Sequence, residues 1–278
     1  MHYKYEVDAT NTTEYSHYLI DAVDKEGAKD LWFKCYKDEE DTLVGIITQP
    51  QWEKDEIKKS LPIELEVDLF EDTGWLTVAA CKLSGLRISP CRFIRWSDFY
   101  EINLRTYVRD KNGRSGVWFY SLDSSDIVAT IGARFLYGLP YNGAKIVRNE
   151  KDGEVEYQSK RTGIFGEAKA TIKRPAIDPL PKDATDPITR FLLERYCFWS
   201  KQYWARQNKP SFVEHRPYQG RIMGQCTYSG ELFKSQGFAE PTRKPDISHY
   251  ESGFDVSASA PTWLRGRITG QENQRLVD

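Results

Sequence analysis

Residues 99–145, FYEINLRTYVRDKNGRSGVWFYSLDSSDIVATIGARFLYGLPYNGAK, decide how this chain folds. Successive side chains of a strand point to opposite faces, so the run from Phe99 to Val108 has one polar and one apolar face. The polar face carries a carboxylate, an amide, a guanidinium and a phenol, on Glu101, Asn103, Arg105 and Tyr107. Because the apolar face must pack on other elements, the polar face turns either to bulk water or to an enclosed polar cavity.

The residues after this strand favour the cavity. Asn112-Gly113 between two strand-like runs is a strong hairpin signal. The following run, residues 116–122, holds adjacent large apolar side chains, which is typical of a strand covered on both faces. Its partner strand then also has an inward face, where each unpaired polar group costs about 1–3 kcal/mol unless a ligand satisfies it. A solvated face with an exposed Glu101–Arg105 ion pair is the alternative.

A helix is predicted after the hairpin. Ser124, Ser125 or Asp126 can cap its start. Its apolar residues at helical spacing are Ile127, Val128, Ile131 and Phe135. Gly138 is placed to end the helix, and Pro140 prevents its continuation. Arg134 lies among the apolar positions near the helix end, and the turn that follows delivers Tyr141 and Asn142 there.

Two segments of this stretch resemble a known superfamily. The segment GARFLYGLPYNGA, residues 132–144, is similar to the helix and turn of the acetoacetate decarboxylase superfamily, and FYEINL resembles the strand that carries its site glutamate. A closer resemblance is to the YqjF-like family, an uncharacterised family with the same fold. It rests on NLRTYV, GVWFYSLD, ARFLYGLPY, FLLERY and HYESGFDV, and it extends from about Trp52 to about Val256.

The resemblance implies a barrel-like fold around a small-molecule cavity. In acetoacetate decarboxylases the lysine that follows Gly-x-Pro forms a Schiff base with the keto acid. This chain has Tyr141 and Asn142 at that place, so the resemblance does not extend to that mechanism. Glu101 matches the site glutamate and is a candidate catalytic residue. Tyr141 is a second one, as a donor to a carbonyl or enolate oxygen, and its alternative role is an aromatic plug that fills the vacated space.

The other candidate residues would bind the substrate, and each has a structural alternative. Arg105 and Arg134 can clamp a carboxylate by paired hydrogen bonds, whereas Arg134 could instead cover apolar surface with its stem. A single histidine such as His215 is more often structural than functional. The complete set of predicted substrate-binding residues is Asn103, Arg105, Tyr107, Arg134, Asn142 and His215.

The whole chain reads as mainly β (α+β). Many predicted strands with only two convincing helices indicate a curved antiparallel sheet or β-barrel with a few attached helices. We expect residues 1–50 to be an N-terminal extension packed on the main domain, residues 51–265 to form that domain, and residues 266–278 to be a flexible tail.

Composition excludes several function classes. With 39 Lys and Arg against 41 Asp and Glu, a net charge of −2 gives no electrostatic footprint for nucleic acid. No apolar run approaches the length of a membrane span, and the N-terminus lacks the apolar stretch of a signal peptide. The odd number of scattered cysteines, 5, fits reduced thiols in a cytoplasm.

Metal and cofactor motifs are missing from the sequence. The histidines are far apart and form no ligand pattern, and no Cys-x-x-Cys, nucleophile elbow or phosphate-binding glycine loop is present. We therefore expect no metal and no cofactor. Two functions stay open. One is an enzyme that acts on a small carboxylate or carbonyl compound by acid–base chemistry without a Schiff-base lysine. Such an enzyme would be a lyase of the decarboxylase, aldolase or dehydratase type. The other is a non-catalytic binding protein for such a ligand; a homo-oligomer is compatible with either.

Overall fold

Strands dominate the structure, a computed structural model that describes residues 31–36, 43–44, 54–88, 97–162, 167–175, 180–181, 186–200, 210–218, 221–223, 226–250, 253 and 255–259. The strands are β1 (Leu31–Tyr36), β2 (Leu43–Val44), β3 (Leu65–Val67), β4 (Leu76–Ile88), β5 (Phe99–Asp110), β6 (Ser115–Ser124), β7 (Tyr141–Lys151), β8 (Glu154–Arg161), β9 (Lys169–Arg174), β10 (Leu180–Pro181), β11 (Cys197–Trp199), β12 (Ser211–His215), β13 (Arg221–Met223), β14 (Thr227–Gly230), β15 (Ser248–Tyr250) and β16 (Asp255–Ser259). The helices are α1 (Lys54–Ser60), α2 (Ile127–Tyr137) and α3 (Pro187–Leu193), and a 3₁₀ turn spans Lys234–Gln236.

The strand pairings close into a ring. Strand β4 pairs with β1 and β5, and the circuit runs on through β16, β12, β11 and β6 back to β5. Most of these pairings are antiparallel, but β6 runs parallel to β11 and to β7. The mainly β fold with a curved, barrel-like sheet and a few helices is therefore confirmed. The parallel contacts are a feature that the sequence patterns did not predict.

A second layer covers the outside of the ring. Strands β7, β8, β9 and β14 continue from β6, and their inner side chains pack against the outer face of β5. Ile102 and Leu104 are fully buried there beside Tyr157 and Ile172. The apolar face of β5 thus packs on this layer, and its other face turns to the inside of the ring. The polar residues Glu101, Asn103 and Arg105, which alternation predicted to share one face of β5, therefore point to the inside of the ring.

The hairpin and α2 follow their sequence signals. Asp110 Oδ1 accepts hydrogen bonds from the backbone N–H groups of Asn112 and Arg114, both at 2.9 Å, which stabilises the turn between β5 and β6. Asp126 caps α2, because its Oδ1 accepts a hydrogen bond from the Ala129 N–H at 2.8 Å. Gly138 ends the helix in the left-handed conformation, at φ 64°.

The apolar spacing in α2 does not mark a buried face. Ile127, Val128, Ile131 and Phe135 are 61%, 54%, 61% and 57% exposed. The side of the helix that faces the ring carries the small residues Ala129, Gly132 and Ala133 together with Leu136 and Tyr137. Periodicity therefore predicts the helix correctly, but Ile127, Ile131 and Phe135 do not line the cavity.

The other predicted elements have shorter or different bounds. Strand β11 ends at Trp199, whereas the pattern predicted a strand to Ala205, most of which lies outside the described residues. Strands β1 and β2, from the predicted N-terminal extension, are hydrogen-bonded to β4 as part of the sheet. The predicted division at residue 50 stays a prediction, and the predicted tail at 266–278 lies outside the described residues.

Candidate functional site

A cavity of about 230 Å³ lies inside the ring. Its walls come from β4, β5, β6, β11, β12 and β16, and α2 covers one side. Five of the predicted site residues line it, namely Glu101, Asn103, Arg105, Tyr141 and His215. The polar row of β5 therefore faces a hollow in the protein. The cavity brings together predicted site residues that are up to 114 residues apart in sequence, since Glu101 and His215 share it.

Glu101 is held between two donors. Its Oε2 accepts a hydrogen bond from the Tyr141 hydroxyl, and its Oε1 accepts one from Asn103 Nδ2 at 3.0 Å. All three side chains are buried, at 6%, 8% and 5% exposed for Glu101, Tyr141 and Asn103. Both carboxylate oxygens are thereby fixed in orientation at the cavity wall. Asn103 Oδ1 is buried and has no hydrogen-bond partner within the described ranges.

Arg105 is a cation of the site without a counter-ion among the described residues. Its side chain is half-buried on the cavity wall, and its buried Nε has no hydrogen-bond partner in the same part of the chain. Across the described ranges, no carboxylate pairs with Arg105, Glu101 included. The ion pair considered from the sequence is thus not formed. A cation on a largely apolar wall attracts an anion, because the low local dielectric strengthens the interaction.

The remaining polar groups of the cavity come from β12 and the segment after α3. His215 Nδ1 lies 2.8 Å from the Arg216 carbonyl oxygen, so this nitrogen carries the proton. The imidazole stacks on Tyr196, with ring centroids 4.6 Å apart, and meets the edge of Tyr218 at 4.9 Å. These contacts fix the ring orientation, as the structural interpretation of His215 predicts, and they also leave it on the cavity wall.

Tyr107 does not line the cavity, so its predicted substrate contact needs correction. Its side chain is fully buried, and its hydroxyl bonds to the Thr77 hydroxyl at 2.8 Å. Phe191 of α3 packs on its ring at 5.2 Å, and the Arg195 guanidinium lies over the ring at 5.2 Å. The fourth member of the polar row is therefore covered by α3 and the residues that follow it.

Arg134 and Asn142 are also outside the cavity wall. Arg134 Nη1 donates a hydrogen bond to the Tyr141 carbonyl oxygen, which ties α2 to the start of β7. Asn142 Nδ2 donates to the Pro140 carbonyl oxygen at 3.2 Å and lies 3.5 Å from Asp123 Oδ1. Because neighbouring side chains of a strand alternate, Tyr141 enters the cavity and Asn142 points away from it. In the structure, Arg134 and Asn142 both donate hydrogen bonds to backbone carbonyl oxygens outside the cavity.

Asp123 and Arg161 form a buried ion pair outside the cavity. Arg161 Nε lies 2.7 Å from Asp123 Oδ1, and the two side chains are 2% and 0% exposed, respectively. Burial raises the pKa of Asp123 above its ordinary value of 3.8, and the Arg161 guanidinium opposes that rise. Neither residue belongs to the cavity wall. The charges compensate each other, so the pair needs no ligand.

Sequence reasoning missed Arg195 as a wall residue. Its Nη1 donates to Asp68 Oδ2 at 2.6 Å, and Asp68 also accepts from Arg109 at 2.7 Å. The neighbouring Glu194 also has a partner in a distant segment, because its Oε1 accepts a hydrogen bond from the Tyr218 N–H at 2.8 Å. Asp68 and Arg195 are 127 residues apart, and no local signal connects them.

The described residues give no metal cluster and no membrane helix. No group of three or more His, Cys, Asp or Glu side chains among them is arranged to hold a metal ion. Within the same ranges, every helix is too short or too polar to cross a membrane.

Comparison with known proteins identifies the family. Residues 47–255 match the DUF2071 family, which is described as an uncharacterized conserved protein. The chain is also 32% identical over 204 residues to the uncharacterized protein YqjF of Bacillus subtilis (strain 168), which covers 72% of this chain and 81% of that protein. The chain therefore belongs to the YqjF-like DUF2071 family, and the resemblance found from the sequence is confirmed.

Two solved structures share the fold of this chain. An acetoacetate decarboxylase-like enzyme from Sphingomonas wittichii RW1 matches with a TM-score of 0.54 and 13% identity, covering 83% of this chain and 93% of that one. The enduracididine biosynthesis enzyme MppR, complexed with pyruvate, matches with a TM-score of 0.51 and 12% identity, covering 82% and 87%. At these identities the match shows a shared acetoacetate decarboxylase-like fold.

Proposed function

We propose that this protein is an enzyme that acts on a carboxylate that also carries a carbonyl group, by acid–base chemistry at Glu101. The observation that carries the proposal is the uncompensated Arg105 on the same cavity wall as the Glu101–Tyr141 pair. The fold it shares with an enzyme complexed with pyruvate supports the same class of ligand.

The proposed chemistry assigns one role to each group. Arg105 binds the carboxylate by charge-assisted hydrogen bonds. The Glu101 carboxylate accepts a proton from the carbon next to the substrate carbonyl, and the electron pair of that C–H bond moves to the carbonyl oxygen. Once Glu101 carries the proton, the Tyr141 hydroxyl, which donates to the carboxylate in the structure, donates to the enolate oxygen instead and stabilises its charge. Asn103, which bonds to Glu101, positions the base.

The proposal involves no Schiff base. Among the described residues that line the cavity, none is a lysine. Tyr141 follows Gly138-Leu139-Pro140 at the place of the superfamily lysine. We expect borohydride reduction in the presence of acetoacetate to leave the protein unlabelled, and a lysine adduct detected by mass spectrometry would contradict this part of the proposal.

A non-catalytic binding protein is the second candidate. The observation that favours it is the largely apolar cavity wall, which suits retention of a ligand as well as its conversion. A cytoplasmic location and a homo-oligomer remain proposals. The free thiols of Cys197 and Cys226 support the proposed location.

The experiment is Glu101→Gln, tested with a panel of keto acids, hydroxy acids and lactones. We expect turnover to fall about 10²–10⁴-fold, because general acid–base catalysis is lost, while the midpoint of thermal unfolding changes little. Ligand binding measured by thermal shift should persist in the variant. Turnover that survives with a large loss of stability would assign Glu101 to structure. Binding without turnover in the unaltered protein would favour the second candidate.

A further inference from the structure

We infer that the ligand is a carboxylate with an apolar body, an alkyl chain or ring system larger than that of a short keto acid such as pyruvate. The inference rests on the proposed function, because it takes Arg105 as the anchor of the carboxylate. It adds the chemical class of the rest of the molecule.

The size of the cavity is the first reason. A single water needs roughly 10–15 Å³ of such space, so about 230 Å³ holds on the order of 15 non-hydrogen atoms. A short keto acid would leave more than half of that space to water or empty. Empty apolar space forfeits dispersion contacts, so a ligand that fills it binds more tightly.

The chemistry of the walls is the second reason. Between the polar groups, the lining side chains are apolar and come from several elements, among them Leu83, Phe99, Phe119, Leu136 and Phe198. Such walls bind methylene or aromatic groups and give a polar molecule no hydrogen bonds. The polar groups lie on the β5 row with Tyr141, on the side formed by Arg195, His215 and Tyr218, and at the end of α2, where Tyr137 carries a hydroxyl.

The inner face of α2 is the third reason. Gly132 lies in the interior of this helix, where glycine costs about 1 kcal/mol relative to alanine. No heavy atom of the described residues lies within 4 Å of the point where its Cβ would be. Packing therefore does not require the glycine. Ala129 and Ala133 beside it also have short side chains that fill little space, so the cavity extends to the backbone of α2.

The spacing of the polar groups is the fourth reason. Arg105 lies four positions after Glu101 along the strand, so their Cα atoms are about 13 Å apart. They form no ion pair with each other. Between them, the buried Asn103 has an unpartnered Oδ1 at the cavity wall, which can accept a hydrogen bond from a ligand. A molecule that reaches both ends must be elongated.

The test is a calorimetric titration with butanoate, hexanoate, octanoate and decanoate, together with pyruvate and 2-oxooctanoate. We expect the dissociation constant to fall about three- to fourfold per added methylene until the cavity is full. We expect 2-oxooctanoate to bind at least about 100-fold more tightly than pyruvate on the same scale.

Variants of α2 locate the apolar body. Gly132→Val should weaken octanoate binding at least about tenfold and leave butanoate unchanged, because the new side chain fills the end of the cavity. Gly132→Ala, which also favours the helix, should shift the length at which the series levels off by about one methylene. Ile131→Ala on the exposed face of the same helix is the matched control and should change neither ligand.

The possible failures are distinguishable. A dissociation constant independent of chain length, with pyruvate as tight as 2-oxooctanoate and Gly132→Val without effect, would overturn this inference and leave the proposed function intact. Octan-1-ol binding as tightly as octanoate, with Arg105→Gln leaving both unchanged, would instead overturn the proposed carboxylate anchor.

Discussion

Two charged sites in the interior lie on neighbouring strands and differ in whether an opposite charge of the protein compensates them. On β6, Asp123 faces Arg161 at 2.7 Å, and both are almost completely buried. On β5, Arg105 faces a cavity and has no ion-pair partner among the described residues. Each site keeps unpaired polar atoms, so the difference is in charge compensation. A compensated pair stabilises the fold, whereas an uncompensated cation at a hollow indicates a ligand.

The largest expected effect is on the compensated pair. Asp123→Ala leaves the Arg161 guanidinium buried without its counter-ion, so we expect a loss of about 3–5 kcal/mol in the free energy of unfolding. Denaturant titration measures it. Octanoate affinity at a temperature where the variant is folded should not change, because neither residue lines the cavity.

The matched control replaces both partners. Asp123→Leu with Arg161→Met removes the charges together and should recover most of the stability lost in the single variant. A single Asp123→Ala variant as stable as the unaltered protein would remove the distinction between the two sites.

The next effect compares two buried tyrosines. Tyr141→Phe removes a hydrogen bond to the Glu101 carboxylate, and Tyr107→Phe removes one to the Thr77 hydroxyl. Each should cost about 1–2 kcal/mol in the free energy of unfolding, because a buried acceptor is left unpaired. Steady-state kinetics should separate them: only Tyr141→Phe should reduce turnover, and equal losses of turnover in both variants would contradict the assignment.

The last effect of this group depends on pH. Cys197 lines the cavity, and burial raises the pKa of its thiol from 9.0 to about 12. Below pH 9 the thiol is protonated in both states, whereas above it only the unfolded state ionises. Stability should therefore fall as the pH rises from 9 towards 12, by at most about 1.4 kcal/mol per pH unit for this group.

Cys197→Ala removes this titration and should make the decline less steep between about pH 9 and about pH 11 in denaturant titrations. Identical slopes for the two proteins would mean that the Cys197 thiol is not protected. Such a result would argue for a cavity wall that water reaches as freely as the surface.

Local signals predicted a large part of this structure. Alternation placed Glu101, Asn103 and Arg105 on one face of β5, and the fold around them follows from the family resemblance. Asp126 and Gly138 mark the helix ends as predicted, because caps depend on residues a few positions away. The contact between Tyr141 and Glu101 was not predicted, although the resemblance marked both as candidate catalytic residues.

Contacts between distant residues could not be predicted in the same way. Alternation places Tyr107 on the same face of β5 as Glu101. Phe191 and Arg195, from a segment distant in sequence, nevertheless cover the Tyr107 ring. On α2, Ile131 and Phe135 are exposed, although apolar residues at helical spacing usually mark the buried side of a helix. Periodicity reports that a face is apolar, and only the tertiary arrangement decides what it meets.

The most direct test of the central claim needs no ligand. If Arg105 has no partner in the fold, replacing it by Met, which has a similar stem, removes a poorly satisfied cation. We expect the free energy of unfolding of Arg105→Met, measured by denaturant titration, to stay unchanged or to rise by about 1 kcal/mol. A loss of about 2 kcal/mol or more would show that Arg105 stabilises the fold through a partner, and would contradict its role as a cation held for a ligand.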